Sequence, residues 1–228
     1  MKQNPENIRA SGSPVPKERV FLLPGEHQLE NERLDQLLRK RLSARRYGHS
    51  SRVADLAASL AARHGVSQDL AYLAGWFHDY ARELPEEKLL YLARQKGMAV
   101  HPVDCLVPVL LHAPVGACLV KEEAGITEPE ILNAIALHTI GGKNMTRLDK
   151  IIFLADMAEP GRDFPKAEEI RLLAHRDLNQ AMIAAFKSAI GYVLAKETYV
   201  HPAALDGYNE VLAEINKYSL PAELRGRG

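Results

Sequence analysis

The sequence AGWFHDYAR, residues 74–82, sets a histidine and an aspartate side by side inside a largely apolar stretch. Its apolar residues, and its position between Ser67 and Pro85, predict a helix that other helices enclose. Neighbouring residues on a helix point about 100° apart, so His78 and Asp79 can line one site only within such an enclosure. A carboxylate in an apolar core needs a cation to compensate its charge. The stretch therefore predicts a helical core that surrounds a polar site.

Four further residues of the kinds that bind metals lie on predicted helices around this pair. His49 begins one apolar helical face, and His138 ends another. Asp156 lies on a third apolar face, and His112 precedes a fourth helix. Taken alone, His112 is better explained as a hydrogen-bonded core histidine, and Asp156 as the partner of a basic residue such as Lys150. Together with the adjacent pair, the four have the residue types of a two-metal site with a shared ligand.

The rest of the sequence predicts helices and no strands. Apolar residues recur at helical spacing from Leu29 onward, between caps such as Thr146 and stops such as Gly97, and no stretch shows β alternation. We therefore predict an all-α fold, an irregular helical bundle over residues 29–220. The polar residues 1–28, which hold four prolines, are expected to form a loose extension, and residues 221–228 a loose tail.

Composition excludes several classes of protein. The chain has 29 Lys and Arg against 29 Asp and Glu, and this balance argues against general nucleic-acid binding. No apolar run is long enough for a membrane span or a signal peptide. The two cysteines, Cys105 and Cys118, are expected to be buried free thiols. Together these features predict a cytoplasmic protein.

One local basic cluster precedes and follows His49 in the sequence. It could steer an anionic substrate toward that histidine, but the favoured interpretation is the solvated face of an amphipathic helix. The five histidines outside the ligand set are expected at the surface. The cluster comprises Arg39, Lys40, Arg41, Arg45, Arg46 and Arg52, and the five histidines are His27, His64, His101, His175 and His201.

The order of these ligand-type residues resembles the HD-domain phosphohydrolase superfamily, over about residues 34–218. The stretches LHAPVGA (111–117), HTIGG (138–142) and LADMAEPGRDF (154–164) look like its YqeK branch, the symmetrical bis(5'-nucleosyl)-tetraphosphatases. One departure is that the family often reads HDCAK where this chain reads HDYAR. Arg82 keeps the positive charge of that lysine but presents a planar fork.

The resemblance implies a bundle of the HD type that cleaves diadenosine tetraphosphate into two ADP with a metal-activated water. It implies two metal ions, of which iron is the first choice, although these ligands also suit manganese or another divalent ion. By position, one metal is held by His49, His78, Asp79 and Asp156, and the other by Asp79, His112 and His138. The catalytic residues are then Asp79 and Arg82, and the expected substrate contacts are Arg82, Thr139, Lys143, Arg147 and Arg162.

Two alternatives remain open from the sequence. Another HD phosphohydrolase would use the same metals on a dNTP, a nucleoside monophosphate or a guanosine alarmone. A non-catalytic sensor module would bind a metal and a nucleotide without turnover. All three readings predict a nucleotide or dinucleoside polyphosphate as the partner, with no membrane or nucleic acid, and all are compatible with a homodimer.

Overall fold

A computed structural model describes residues 28–216, and every regular element in that range is helical. The expectation of an all-α bundle is therefore confirmed. The predicted loose segments 1–28 and 221–228 lie outside this range, except for Gln28, which begins the first helix. The helices are α1 (Gln28–Arg41), α2 (Ala44–His64), α3 (Gln68–Phe77), α4 (Glu86–Gln95), α5 (Pro102–Leu106), α6 (His112–Leu119), α7 (Pro129–Leu137), α8 (Arg147–Ala158), α9 (Ala167–Ala174), α10 (Leu178–Ala195) and α11 (Pro202–Asn216).

Helix α8 is the centre of the bundle. It packs against α2, α3, α7, α9 and α10, and residues 151–155 are all at most 2% exposed. Its start is fixed by a capping box, in which the Thr146 hydroxyl accepts from Asp149 N and the Asp149 carboxylate accepts from Thr146 N. Because α8 is enclosed over most of its length, Lys150 in its first turn and Asp156 in its last turn are largely shielded from solvent.

Helices α2 and α3 form the tightest packing, and Gly75 makes it possible. A Cβ at Gly75 would lie 2.9 Å from Ala54 Cα and 3.1 Å from Ala54 N. Backbone atoms cannot move aside for such a contact, so any larger residue here would push the two helices apart. Gly75, three residues before His78, therefore allows the close approach of α2 and α3.

Some helix boundaries differ from the predicted ones. The stretch 74–82 was expected to be helical, but α3 ends at Phe77, and turns follow in which Tyr80 N bonds to Phe77 O at 3.0 Å and Arg82 N to Asp79 O at 2.8 Å. Helix α2 begins at Ala44, five residues before His49. His49 thus lies within a helix, whereas His78 and Asp79 lie just beyond one.

Two expectations about cysteines and histidines were wrong. Cys105 is exposed and Cys118 is half-buried, so these free thiols are not core residues. Four of the histidines assigned to the surface are half-buried: His64, His101, His175 and His201. The ring of His101 accepts from Val103 N at the start of α5, and that of His201 accepts from Ala203 N at the start of α11. Imidazole acceptors at helix starts were not considered from the sequence. His27 lies outside the described residues. Among those residues, no helix is both long and apolar enough to cross a membrane.

Candidate metal and phosphate site

The structure brings the six ligand-type residues together from five places in the chain. His49 comes from α2, His78 and Asp79 from the turns after α3, His112 from the start of α6, His138 from the end of α7, just after its last residue, and Asp156 from α8. Their ligand atoms form three overlapping sets, and within each set the atoms lie within 4.8 Å of one another. The sets are His49, His78 and Asp79; His78, His138 and Asp156; and Asp79, His112 and His138.

Asp79 is the carboxylate that joins the two sides of this cluster. Its Oδ1 lies 3.3 Å from His112 Nε2 and 3.7 Å from His138 Nε2. Its Oδ2 lies 3.6 Å from His78 Nε2 and 3.8 Å from His49 Nε2. Burial alone would raise the pKa of Asp79, but the imidazoles around it hold it well below its usual value. Asp79 is therefore an anion at neutral pH, with one oxygen toward each side.

Three of the four rings are held in the same way, by a backbone carbonyl three residues earlier. His78 Nδ1 lies 2.6 Å from Gly75 O, His112 Nδ1 2.5 Å from Val109 O, and His138 Nδ1 2.7 Å from Ile135 O. A carbonyl can only accept, so each Nδ1 carries the proton and donates it. Each Nε2 then presents a lone pair to the interior of the cluster, which is the form in which histidine binds a metal.

This donor set fits a bound cation. His78 Nε2 is buried and has no hydrogen-bond partner within residues 31–216. His112 Nε2 lies only 3.1 Å from His138 Nε2, although the carbonyl contacts leave both atoms as acceptors. Acceptors that face one another across such distances repel unless a positive charge lies between them. Burial lowers the pKa of His112, so a proton on that ring is a poor source of this charge.

His49 is held differently, by the side chain of Glu159. His49 Nδ1 lies 3.1 Å from Glu159 Oε1, and on the other side of the ring His49 Nε2 lies 2.9 Å from Asp156 Oδ1. Burial opposes a charge on the ring, but the hydrogen bonds with Asp156 and Glu159 raise the pKa of His49. Glu159 was quoted from the sequence as part of a motif but was given no role.

Glu159 is itself a buried carboxylate with several donors. It is 1% exposed, and it accepts from Arg52 Nε at 2.6 Å, from Arg52 Nη2 at 3.1 Å and from Gly161 N at 2.5 Å. Burial would raise the pKa of Glu159, but the bonds with His49, Arg52 and Gly161 lower it to about 2. Glu159 is therefore ionised at neutral pH.

Two arginines reach the carboxylates of the cluster. Arg46 Nη1 donates to Asp79 Oδ2 at 2.7 Å, and the guanidinium of Arg162 donates to the carboxylate and to the carbonyl oxygen of Asp156. Arg162 was predicted at the site, whereas Arg46 was assigned to a solvated helix face. Helical spacing could have predicted this contact, because Arg46 and Arg52 lie three residues before and after His49 and therefore on the same face of α2.

The other predicted substrate contacts divide into near and distant groups. Thr139 Oγ1 lies 3.1 Å from His112 Nε2 and 3.0 Å from His138 Nε2, so it is part of the site. Arg82 is half-buried, and its side chain makes no hydrogen bond or ion pair within the described range. Lys143 is exposed and pairs with Asp206 at 3.5 Å.

Arg147 lies far from the ligand cluster. It is the first residue of α8, whereas Asp156 is in the last turn of that helix, about 13 Å away along the axis. There Arg147 lines a separate cleft of about 640 Å³ with Lys150. Asp156 does not pair with Lys150, the partner considered from the sequence. Lys150 instead contacts Asn179 and Glu214.

Comparisons with known proteins agree with this architecture. The HD domain family matches residues 46–161. A protein of Halalkalibacterium halodurans named "Bis(5'-nucleosyl)-tetraphosphatase, symmetrical" is 41% identical over 78% of this chain and 95% of its own. One of Bacillus subtilis with the same name is 41% identical over 75% of this chain and 92% of its own. A crystal structure from Clostridium acetobutylicum, of an HD superfamily hydrolase described as involved in NAD metabolism, has a TM-score of 0.79 and 35% identity, and the match covers 81% of this chain and 97% of that one.

The fold, the six-residue cluster and these matches together define the class of the protein. It belongs to the HD-domain phosphohydrolase superfamily and, within it, to the YqeK branch that these two bacillary relatives represent.

Proposed function

We propose that the protein is a symmetrical bis(5'-nucleosyl)-tetraphosphatase, a hydrolase that cleaves diadenosine tetraphosphate into two ADP. The observation that carries this proposal is the intact six-residue cluster in a chain that is 41% identical to relatives of that name. Water is added across the central anhydride, so that one ADP receives the hydroxyl and the other leaves with the bridging oxygen.

The cluster has the residues to hold two metal ions. One would be held by His49, His78, Asp79 and Asp156, and the other by Asp79, His112 and His138. Such ions, when bound, lower the pKa of water toward neutrality and offset phosphate charge. We propose iron as the resident metal, following the branch, and mixed imidazole and carboxylate ligands also suit manganese.

The remaining side chains position the tetraphosphate. Arg46 and Arg162 present guanidinium groups beside the two carboxylates of the cluster, and a guanidinium fork can bind two phosphate oxygens at once. Thr139 Oγ1, which lies beside the rings of His112 and His138, can donate to a further phosphate oxygen. The leaving ADP is stable as an anion and needs little protonation, so positioning and charge neutralisation account for most of the catalysis. Arg82 stays a proposed phosphate contact on the resemblance alone.

Location and domain extent complete the proposal. An exposed thiol at Cys105 and a half-buried one at Cys118, both unpaired, are compatible with a reducing compartment, so we propose the cytoplasm. We propose residues 29–220 as one catalytic domain, and the family match lies within it. The homodimer stays a prediction.

Product analysis tests the proposal. The iron-loaded protein and an Asp79→Ala variant are incubated with diadenosine tetraphosphate, and the products are separated by anion exchange. ADP as the only product, absent from the variant, is expected. AMP with ATP would contradict symmetrical cleavage. Faster turnover of a dNTP, a nucleoside monophosphate or a guanosine alarmone in parallel reactions would assign the site to another substrate, and metal binding without turnover would favour the sensor module.

A further inference from the structure

The four histidines of the cluster differ in where the hydrogen-bond acceptor for their Nδ1 comes from. His78 and His138 each follow the end of a helix, where the carbonyls of the last turn lack the usual partner four residues on, and His112 follows a short 3-10 turn in which Val109 O accepts from the His112 backbone as well. Each ring uses one of these carbonyls. His49 is the sixth residue of α2, where the preceding carbonyls already accept helical bonds from following amides. A histidine in that position must take its acceptor from elsewhere in the fold.

Glu159 supplies that acceptor from the end of α8. It follows the last residue of the helix that also carries Asp156, so one helix end contacts both nitrogens of His49. Arg52, one turn after His49 on α2, holds Glu159 with two hydrogen bonds. The three residues form a chain from the partly exposed Arg52, through the buried Glu159, to the ring.

We propose that Glu159 is a positioning residue that orients His49 toward the metal ion it would share with His78, Asp79 and Asp156, and that Arg52 orients Glu159. This rests on the proposed two-metal site. A carboxylate that accepts from Nδ1 fixes the tautomer and makes Nε2 a stronger ligand than a carbonyl does. The proposal is specific to one side of the cluster, because the other metal would be held by Asp79, His112 and His138, whose rings use backbone carbonyls.

A purely structural role makes a different prediction. The pair of Arg52 and Glu159 also joins α2 to the end of α8, and that link alone would stabilise the fold without changing metal affinity. A readout of metal binding therefore separates the two roles, whereas loss of activity would not.

The test is a titration of metal-free protein with Mn²⁺, in which binding is measured by calorimetry and by electron paramagnetic resonance. We expect the natural protein to bind two ions with a spin-coupled spectrum. In Glu159→Gln, the affinity for one ion should fall by about 10-fold to 100-fold, the second should stay unchanged, and an uncoupled spectrum should appear at low occupancy. Equal affinities in the variant and the natural protein, with only a lower melting temperature, would overturn the proposal. Equal weakening of both ions would overturn it as well.

Two further variants keep the test decisive. If Glu159→Gln does not fold, Arg52→Met leaves the bond between Glu159 and His49 but removes the group that orients Glu159, and we expect a smaller loss at the same single ion. Unchanged Mn²⁺ affinity in Arg52→Met would contradict the proposal that Arg52 orients Glu159. In a His49→Ala background, Glu159→Gln should cause no further change in Mn²⁺ affinity, since the residue it positions is gone. Natural protein that binds no Mn²⁺, Fe²⁺ or Co²⁺ would contradict the proposed function itself.

Discussion

The two ends of α8 both carry buried charged groups, but only at the C-terminal end do several acceptors face one another. Near the N-terminal end, a single buried acceptor, Asp149 Oδ1, has no hydrogen-bond partner among the described residues. At the N-terminal end, Lys150 Nζ donates to Asn179 Oδ1 at 3.0 Å and to Glu214 Oε2 at 2.8 Å. At the C-terminal end, Asp156 belongs to a cluster in which acceptors outnumber donors, and in the described part of the chain His78 Nε2 has no partner. Buried charges that pair with one another leave little charge uncompensated, whereas several buried acceptors that face one another indicate the place of a cation.

The largest effect should come from removing the shared carboxylate at the C-terminal end. Asp79→Ala should reduce hydrolysis of diadenosine tetraphosphate to the uncatalysed background, because it removes a ligand from both metal positions. The metal-free variant should keep its fold, because the imidazole nitrogens around Asp79 are acceptors that do not need it and Arg46, which donates to it, is partly exposed to solvent. Activity assays and circular dichroism check the two parts.

The matched control is Lys150→Met at the N-terminal end. It should keep activity within a few-fold but lower the free energy of unfolding by about 1–3 kcal/mol, because Glu214 and Asn179 lose their donor. Urea denaturation measures this difference. The contrast between the two ends would break if Lys150→Met abolished activity in a folded protein.

Substitution of an arginine should also affect catalysis strongly at the cluster and weakly at the N-terminal end of α8. Arg46→Ala should lower kcat/KM by about 100-fold, in the range seen when one positioned donor to a developing charge is lost. Arg147→Ala, in the separate cleft, should change kcat/KM by less than about twofold. Steady-state kinetics with diadenosine tetraphosphate compares them, and an equally large loss in both variants would show that the tetraphosphate extends along α8.

Removal of metal should lower stability through the C-terminal end alone. A ligand present at about 100 times its Kd adds about 2.7 kcal/mol to stability, which corresponds to a shift of roughly 5–10 °C for a domain of this size. Scanning calorimetry with and without chelator should show such a shift in the natural protein and in Lys150→Met. If the melting temperature of Asp79→Ala does not change with chelator, the stabilising metal is bound at the ligand cluster. A full shift in that variant would contradict this assignment.

The smallest expected effect is a pH dependence at the N-terminal end. Burial raises the pKa of Asp149 above its usual value, although hydrogen bonds from Thr146 and Asn133 oppose the shift. The folded state then binds the proton of Asp149 more tightly than the unfolded state does. The stability that this proton contributes is fully present below the unfolded pKa, near 3.9, and is lost as pH rises through the folded pKa. With metal removed by a chelator, the natural protein should lose stability relative to the Asp149→Asn variant as pH rises from the unfolded to the folded pKa. Urea denaturation at several pH values checks the slope, and an opposite slope would contradict the raised pKa.

Much of this molecule could be predicted from residue types and their spacing. The helices, and the convergence of His49, His78 and Asp79 with the three later residues, followed from apolar periodicity. The role of Glu159 did not, because its contact with His49 joins residues 110 positions apart and depends on how α2 meets the end of α8. The role of Arg46 was missed, although its spacing from His49 indicated it. The end of α3 at Phe77 was missed as well, since its cause is a tightening of the turns that hold the ligand pair.

The most direct test of the central claim is anomalous diffraction from crystals of the iron-loaded protein, at wavelengths on either side of the iron edge. The account predicts two iron positions at the C-terminal end of α8, both bound by Asp79, with His49, His78 and Asp156 around one and His112 and His138 around the other. A cluster without iron, or iron bound only at the surface, would contradict it.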